Sequence, residues 1–235
     1  MAMRKGRARR APVERSALGI VRAASVRMHE RAQRAYSSLE SWEASARCTI
    51  ECPMEVRGTA LRSVLVACDE EFGAGSSKRG LDSVDSGVRV ALQGAVLSTS
   101  WYPVAAQAAL HEAVRVALGY GSMEANRRVG RRAALDDFRG VYRVFLPLLK
   151  WKFLWSSLDR AWSRYNSAGR VLCTEHGARR ARFSIVEVQG YTDPMWHAIC
   201  GRMCAVIEFA GGRDVRGRVL ETGATRGEFE FDWDR

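Results

Sequence analysis

Beyond residue 53 the hydrophobic positions follow two periods, a helical one first and a strand-like one later. Leu61, Val64, Leu65, Cys68 and Phe72 fall at i, i+3, i+4, i+7 and i+11. That spacing predicts one apolar stripe of an amphipathic helix beginning near Gly58 and closed by Gly73. Gly73 to Gly80 reads as a flexible loop, and a second helix is predicted over Leu81 to Leu92. A third is expected to start at Pro103, a residue suited to a first helical turn, and to end before Gly119 with Ala106, Leu110, Ala113, Val114 and Ala117 inward. Ser122 reads as the N-cap of a long helix or helix pair reaching Leu149, kinked or closed by Pro147. Trp151 to Tyr165 reads as a further helix.

Past Gly169 the pattern becomes short and β-rich. Arg170 to Glu175 and Arg182 to Val188 predict a hairpin around His176-Gly177. Asp193-Pro194 predicts an N-cap with proline at N1, opening a helix to Ala210 that Gly211-Gly212 stops. Val215 to Glu221 and Glu228 to Trp233 predict a second hairpin. In its last strand Phe229, Phe231 and Trp233 alternate with Glu228, Glu230 and Asp232. The expected fold class is α+β: a helical N-terminal half followed by a ββαββ antiparallel-sheet C-terminal third.

Residues 1–53 show little periodicity and are rich in Arg, Ala and Ser, which predicts a basic arm, disordered or weakly helical, ahead of a single domain over 54–235. Met54 stands directly before the first patterned segment, so translation starting there is the alternative account of the arm. The net charge of +11 is concentrated in it: residues 1–35 hold ten Arg and Lys against two Glu, a net +8, leaving +3 for the other 200 residues. Nucleic acid is therefore expected to bind weakly at most, through residues 1–35, by sequence-blind electrostatics. Val13 to Met28 carries Glu14, Arg15, Arg22 and Arg27 where a signal peptide needs an apolar core, and Val141 to Leu158 is broken by Arg143, Lys150 and Lys152. No membrane span is expected. Six cysteines in 235 residues do not make a disulfide scaffold, and cytoplasmic placement is expected.

The run from Val56 to Trp233 resembles a paralogous family of myxobacterial proteins without an assigned activity, through four phrases in fixed order: RGTALRSVL from Arg57, WYPVAAQAALHEAV from Trp101, GRRAALDDFRGVYRVFL from Gly130, and IEFAGGRDVRGRV from Ile207 with the closing FEFDW. That family is similar, distantly, to the fold shared by haem-based nitric-oxide sensors, 4-vinyl-reductase-like domains and TRAPP-type vesicle-tethering subunits. The resemblance implies small-molecule sensing or dimeric scaffolding. The sensors' Tyr-x-Ser-x-Arg signature is absent, as are the closing-hairpin cysteines of the 4-vinyl-reductase-like domains. By the same likeness His111 is the candidate haem ligand, and its helical projection places it on the flank of the apolar face.

Candidate chemistry is sparse. His197, Cys200 and Cys204 at i, i+3 and i+7 are an outside possibility for zinc, set against an ordinary core stripe of Trp196, Ile199, Cys200, Met203 and Ile207. Arg127, Arg128, Arg131 and Arg132 could bind phosphate near a helix N-terminus, or simply form a solvated face. Trp101, Tyr102, Trp151, Trp155 and Trp162 could line an apolar ligand pocket, or be core. Asp136 and Asp137 point apart, and Arg132 at i−4 is expected to pair with Asp136. No nucleophile motif is present. The expectation is a non-enzymatic cytoplasmic regulatory, ligand-sensing or scaffolding domain, without a cofactor, with a homodimer or protein partner and a small apolar ligand as its contacts. The alternatives are a nucleic-acid-associated protein using the basic arm and a metal- or haem-dependent sensor or enzyme.

Overall fold

A computed structural model of the 235-residue chain describes residues 54–139 and 151–234. The predicted arm and the expected kink at Pro147 lie outside the described residues. Strand β1 (Glu55–Arg57) runs into helix α1 (Gly58–Phe72), whose buried face includes Leu61, Val64 and Cys68 as the spacing predicts. A short ribbon forms where β1 pairs antiparallel with β2 (Trp101–Pro103).

Two departures from the sequence reading follow. The stretch expected to be a loop holds helix α2 (Ser76–Asp82), and the helix expected over Leu81 to Leu92 is α3 (Ser86–Gln93), with a break between the two. A distant carboxylate explains α2: Asp69 of α1 accepts from the Ser77 backbone N–H (2.9 Å) and from the Ser77 hydroxyl (2.7 Å). That satisfies a free N-terminal donor and compensates for a Gly- and Ser-rich sequence of low helical propensity.

Helix α4 (Val104–Ala113) continues as a π turn over Val114–Leu118. The wider turn rotates the following face, so Leu118 is buried and Ala117, expected inside, is exposed. Helix α5 (Met123–Arg139) starts where the Ser122 hydroxyl accepts from the Glu124 N–H, and α6 (Trp151–Tyr165) matches its expected range.

The C-terminal third is the predicted ββαββ unit: β3 (Arg170–His176), β4 (Arg180–Val186), α7 (Asp193–Phe209), β5 (Arg213–Thr222) and β6 (Gly227–Asp234). The strands form one antiparallel sheet in the order β3-β4-β6-β5. Thr192, rather than Asp193, is the N-cap of α7; at the other end Gly211 takes φ 98°, and Gly212 N–H donates to Ile207 O, closing the helix.

Phe183, Phe229, Phe231 and Trp233 line the inner face of the sheet, fully buried. Each contributes roughly 1.5–3 kcal/mol by leaving water. The rings interlock: Phe183 stacks on Phe231 at 5.0 Å between centroids, and Trp155 of α6 meets Trp233 at 5.9 Å. On the outer face the alternating carboxylates are not equally solvated, because Glu230 is only 3% exposed beneath Arg180, Arg182 and Arg218. Cross-strand register puts those arginines beside it.

Helix α7 packs between the sheet and α5, and glycine decides how closely. A Cβ on Gly130 of α5 would lie 1.9 Å from Ala198 O, and one on Gly201 of α7 would lie 1.9 Å from Arg127 O. The two helices therefore meet backbone to backbone. Among the described residues no helix is long and apolar enough to cross a membrane.

Candidate functional site

Gln107 and His111 lie at i and i+4 of α4 and so share one face of it. That face looks onto a cavity of about 30 Å³ completed by Val64 of α1, Gly130 of α5, Tyr191, and Met195, Ala198, Ile199 and Arg202 of α7. The volume admits roughly one or two water molecules.

His111 is 2% exposed, not on a boundary as its projection suggests. Asn126 of α5 holds it: Nδ2 donates to His111 O at 2.8 Å and lies 3.3 Å from His111 Nδ1. Because the carbonyl fixes which end of the amide carries the hydrogens, Nδ1 accepts and the ring proton resides on Nε2. Nε2 has no hydrogen-bonding partner among the described residues. Burial, followed by the Arg202 charge, pushes the His111 pKa down from 6.5 to about 3, so the ring is neutral.

Two buried acceptors nearby, Gln107 Oε1 and Asn126 Oδ1, also have no partner among the described residues. An orphaned buried acceptor costs about 1–3 kcal/mol, which makes this the least satisfied part of the described interior. Tyr191 OH donates to Asn166 Oδ1 at 2.9 Å, and burial pushes its phenol pKa up. Arg202 reaches Asp137 and donates to Ser63 Oγ at 3.2 Å.

The residues singled out from the sequence lie elsewhere. Trp101 and Tyr102 sit on β2, where the Arg57 guanidinium covers Trp101 at 4.0 Å and Tyr102 OH accepts from Leu97 N–H at 2.9 Å. Trp155 is against Trp233, and Trp162 is 5.8 Å from Tyr191 between centroids, its Nε1 donating to Ala168 O. Trp151 opens α6, and its side chain falls outside the described residues. None of the four described rings lines the cavity.

The four arginines of α5 each meet a protein group. Arg127 donates to His197 Nδ1 (3.1 Å) and Gly217 O (2.9 Å), Arg128 to Glu71 (2.6 Å), Arg131 pairs with Glu208 (2.7 Å), and Arg132 pairs with Glu70. They tie α5 to α1, α7 and β5; Arg132 hydrogen-bonds Glu70, and the charge of Asp136, its expected partner, acts on it as well. His197 is held by Arg127, and burial and then the Arg127 charge lower its pKa. Among the described residues no group of three His, Cys, Asp or Glu side chains is placed to hold a metal ion.

Gln107, Asn126, Tyr191 and Arg202 carry no motif and escaped the sequence reading. The available signal was a Gln-His pair at helical spacing inside an apolar stripe.

No family model matches the chain, and no curated protein matches it. Solved structures do. The Fe(II) unliganded H-NOX protein from K. algicida is similar at 12% identity and TM-score 0.57, over 76% of this chain and 97% of that one. An oxygen-binding H-NOX domain related to soluble guanylate cyclases gives 12% identity and TM-score 0.55, over 76% and 95%. A structure concerned with haem redox potential and porphyrin distortion gives 12% identity and TM-score 0.56, over 76% and 95%. The expectation of no cofactor is corrected by these likenesses, since the fold occurs in proteins that carry haem. At 12% identity the comparisons bear on architecture and leave the likeness to the myxobacterial family without support. The chain has the fold of H-NOX domains.

Proposed function

We propose that this chain is a ligand-sensing domain in which the ligand is held on the His111 face of α4, and that haem is that ligand. The observation that carries the reading is His111 itself, a neutral imidazole 2% exposed, facing a cavity with Nε2 unpartnered among the described residues. Ligation through Nε2 requires the ring proton on Nδ1, with an acceptor for it. Asn126 Oδ1, buried and without a partner among the described residues, would take that proton if the amide turned over, at the cost of its bond to His111 O. Arg202 offers a guanidinium to a ligand carboxylate. Bound haem would supply an iron with a coordination position open to a diatomic gas.

The donor set suits the group, whereas the space has to open. A cavity of about 30 Å³ is far below the several hundred Å³ of a cofactor site. Helices α5 and α7 are locked backbone to backbone by Gly130 and Gly201, so the element free to yield is α4, which ends in a π turn. Occupancy would thereby be converted into displacement of α4, which is what a sensor requires.

Haemin titration of the purified chain tests this by absorbance. A Soret band saturating at one equivalent is expected, and His111→Ala should weaken binding by at least about tenfold or shift the band. A folded wild type that develops no saturable band, or an Ala variant with the same affinity and spectrum, would overturn it.

A further inference from the structure

The cavity beside α4 brings a buried donor and a buried acceptor together, neither with a partner among the described residues. His111 is 2% exposed, and because Asn126 Nδ2 donates to His111 O and lies against Nδ1, the ring presents an Nε2–H donor. Four residues earlier on the same face, Gln107 Oε1 is the acceptor. Residues at i and i+4 have Cβ atoms about 5–6 Å apart, so one small molecule can touch both. Tyr191 lines the same space, and its hydroxyl gives its proton to Asn166 Oδ1 at 2.9 Å, so toward the cavity it can only accept.

Size and chemistry together constrain the occupant. About 30 Å³ admits one or two water-sized molecules and nothing as large as a metabolite. One donor and two acceptors are offered to it, which matches a molecule that both accepts and donates. A small anion would meet the lone pairs of Gln107 and Tyr191, and a metal ion would meet the His111 proton and the Arg202 charge. The remaining wall includes Val64 of α1 with Met195 and Ile199 of α7, apolar side chains that offer no competing bond.

We infer that this cavity is a site for one ordered water molecule, which accepts from His111 Nε2–H and donates to Gln107 Oε1 and to Tyr191 Oη. About three hydrogen bonds are the usual complement of a buried water, and this one satisfies both orphaned groups of α4 at once.

The position of the water has two consequences. It fastens α4 to Tyr191, which leads into α7 and is itself tied to Asn166 just beyond α6. It also holds the imidazole proton on Nε2, so a ligand that takes Nε2 displaces the water and releases α4 from Tyr191. The second consequence rests on the ligand-sensing reading. The water site does not, since it follows from His111, Gln107 and Tyr191 of the chain alone.

Nuclear magnetic resonance on the full chain, isotope-labelled and purified without haem, tests the site independently of any haem binding. Long-range nitrogen–proton correlation of the histidine rings gives the tautomer, with the His111 signals assigned by their loss in His111→Gln. The expected spectrum has the proton on Nε2 and a rotating-frame cross-peak from it to water, with the sign of dipolar transfer rather than of chemical exchange. Deuteron relaxation dispersion counts long-lived waters, and Gln107→Met, which keeps the side chain's length but removes its strong acceptor, should lower that count by about one. Thermal melts establish that the variant is folded; if it is not, the wild-type tautomer and cross-peak decide. The His111 signals should stay in place when chloride replaces a bulky buffer anion. A proton on Nδ1, no dipolar cross-peak, an unchanged water count in folded Gln107→Met, or a saturable shift with chloride, which would put a small anion in the site, would each overturn the inference.

Discussion

Replacing His111 by Gln should flatten the acid dependence of stability. In the folded chain the imidazole titrates near 3, and 6.5 is its ordinary value. The unfolded chain therefore takes up the proton first. With the folded pKa depressed, stability from this group is complete above pH ~6.5, declines as pH falls, and levels off near the folded value. The slope is about 1.4 kcal/mol per pH unit, so moving from pH 6.5 to 5 costs about 2 kcal/mol. For a domain of this size that corresponds to a Tm drop of roughly 4–8 °C. His197 has a lowered pKa as well and contributes with the same sign, and carboxylates add their own titration at lower pH. The comparison of wild type with His111→Gln removes both. Urea titrations at pH 7, 6 and 5 and constant ionic strength should show the wild type losing about 2 kcal/mol more than the variant across that interval. Curves that stay parallel within about 0.3 kcal/mol would refute the claim that His111 is held neutral by burial.

Gly130→Ala should destabilise by about 2–3 kcal/mol, because its Cβ would meet Ala198 O at 1.9 Å while the helix-propensity gain is only about 1 kcal/mol. Gly80→Ala, whose Cβ would find Leu118 Cδ1 at 3.9 Å, should be neutral or mildly stabilising; thermal melts in which the two behave alike would contradict the backbone contact. Glu230 is held well below the usual carboxylate range, near 2, by hydrogen bonds from Arg180 first, then Arg182 and Arg218. Its contribution is present above the unfolded pKa near 4.5 and lost as pH falls toward 2, so Glu230→Gln should reduce the loss of stability across that window, and unchanged acid melts would count against it.

The C-terminal unit was readable because its alternation is unambiguous: Phe229, Phe231 and Trp233 share a parity, and a sheet with one covered face has one way to place them. What one strand cannot reveal is its neighbours. Glu230 looks like any solvated carboxylate until register sets three arginines around it. Helix α2 was missed for the same reason, since the carboxylate that caps it belongs to another helix. The site was hidden by a tertiary partner and a local irregularity. A regular 3.6-residue projection places His111 on a flank and Ala117 inside, whereas Asn126 of α5 packs over His111 and the π turn leaves Ala117 in water. The helical glycines at 130 and 201 were visible in the sequence, and a helix interior that accepts glycine signals close backbone approach.

Native mass spectrometry of the full chain, purified without denaturant from cells that make haem and then exposed to one equivalent of haemin, tests the central claim most directly. The account predicts a folded protein whose mass exceeds the bare chain by one haem, and a His111→Ala variant that loses that increment at lower collision energy. A wild type found at the bare-chain mass both before and after exposure would contradict it.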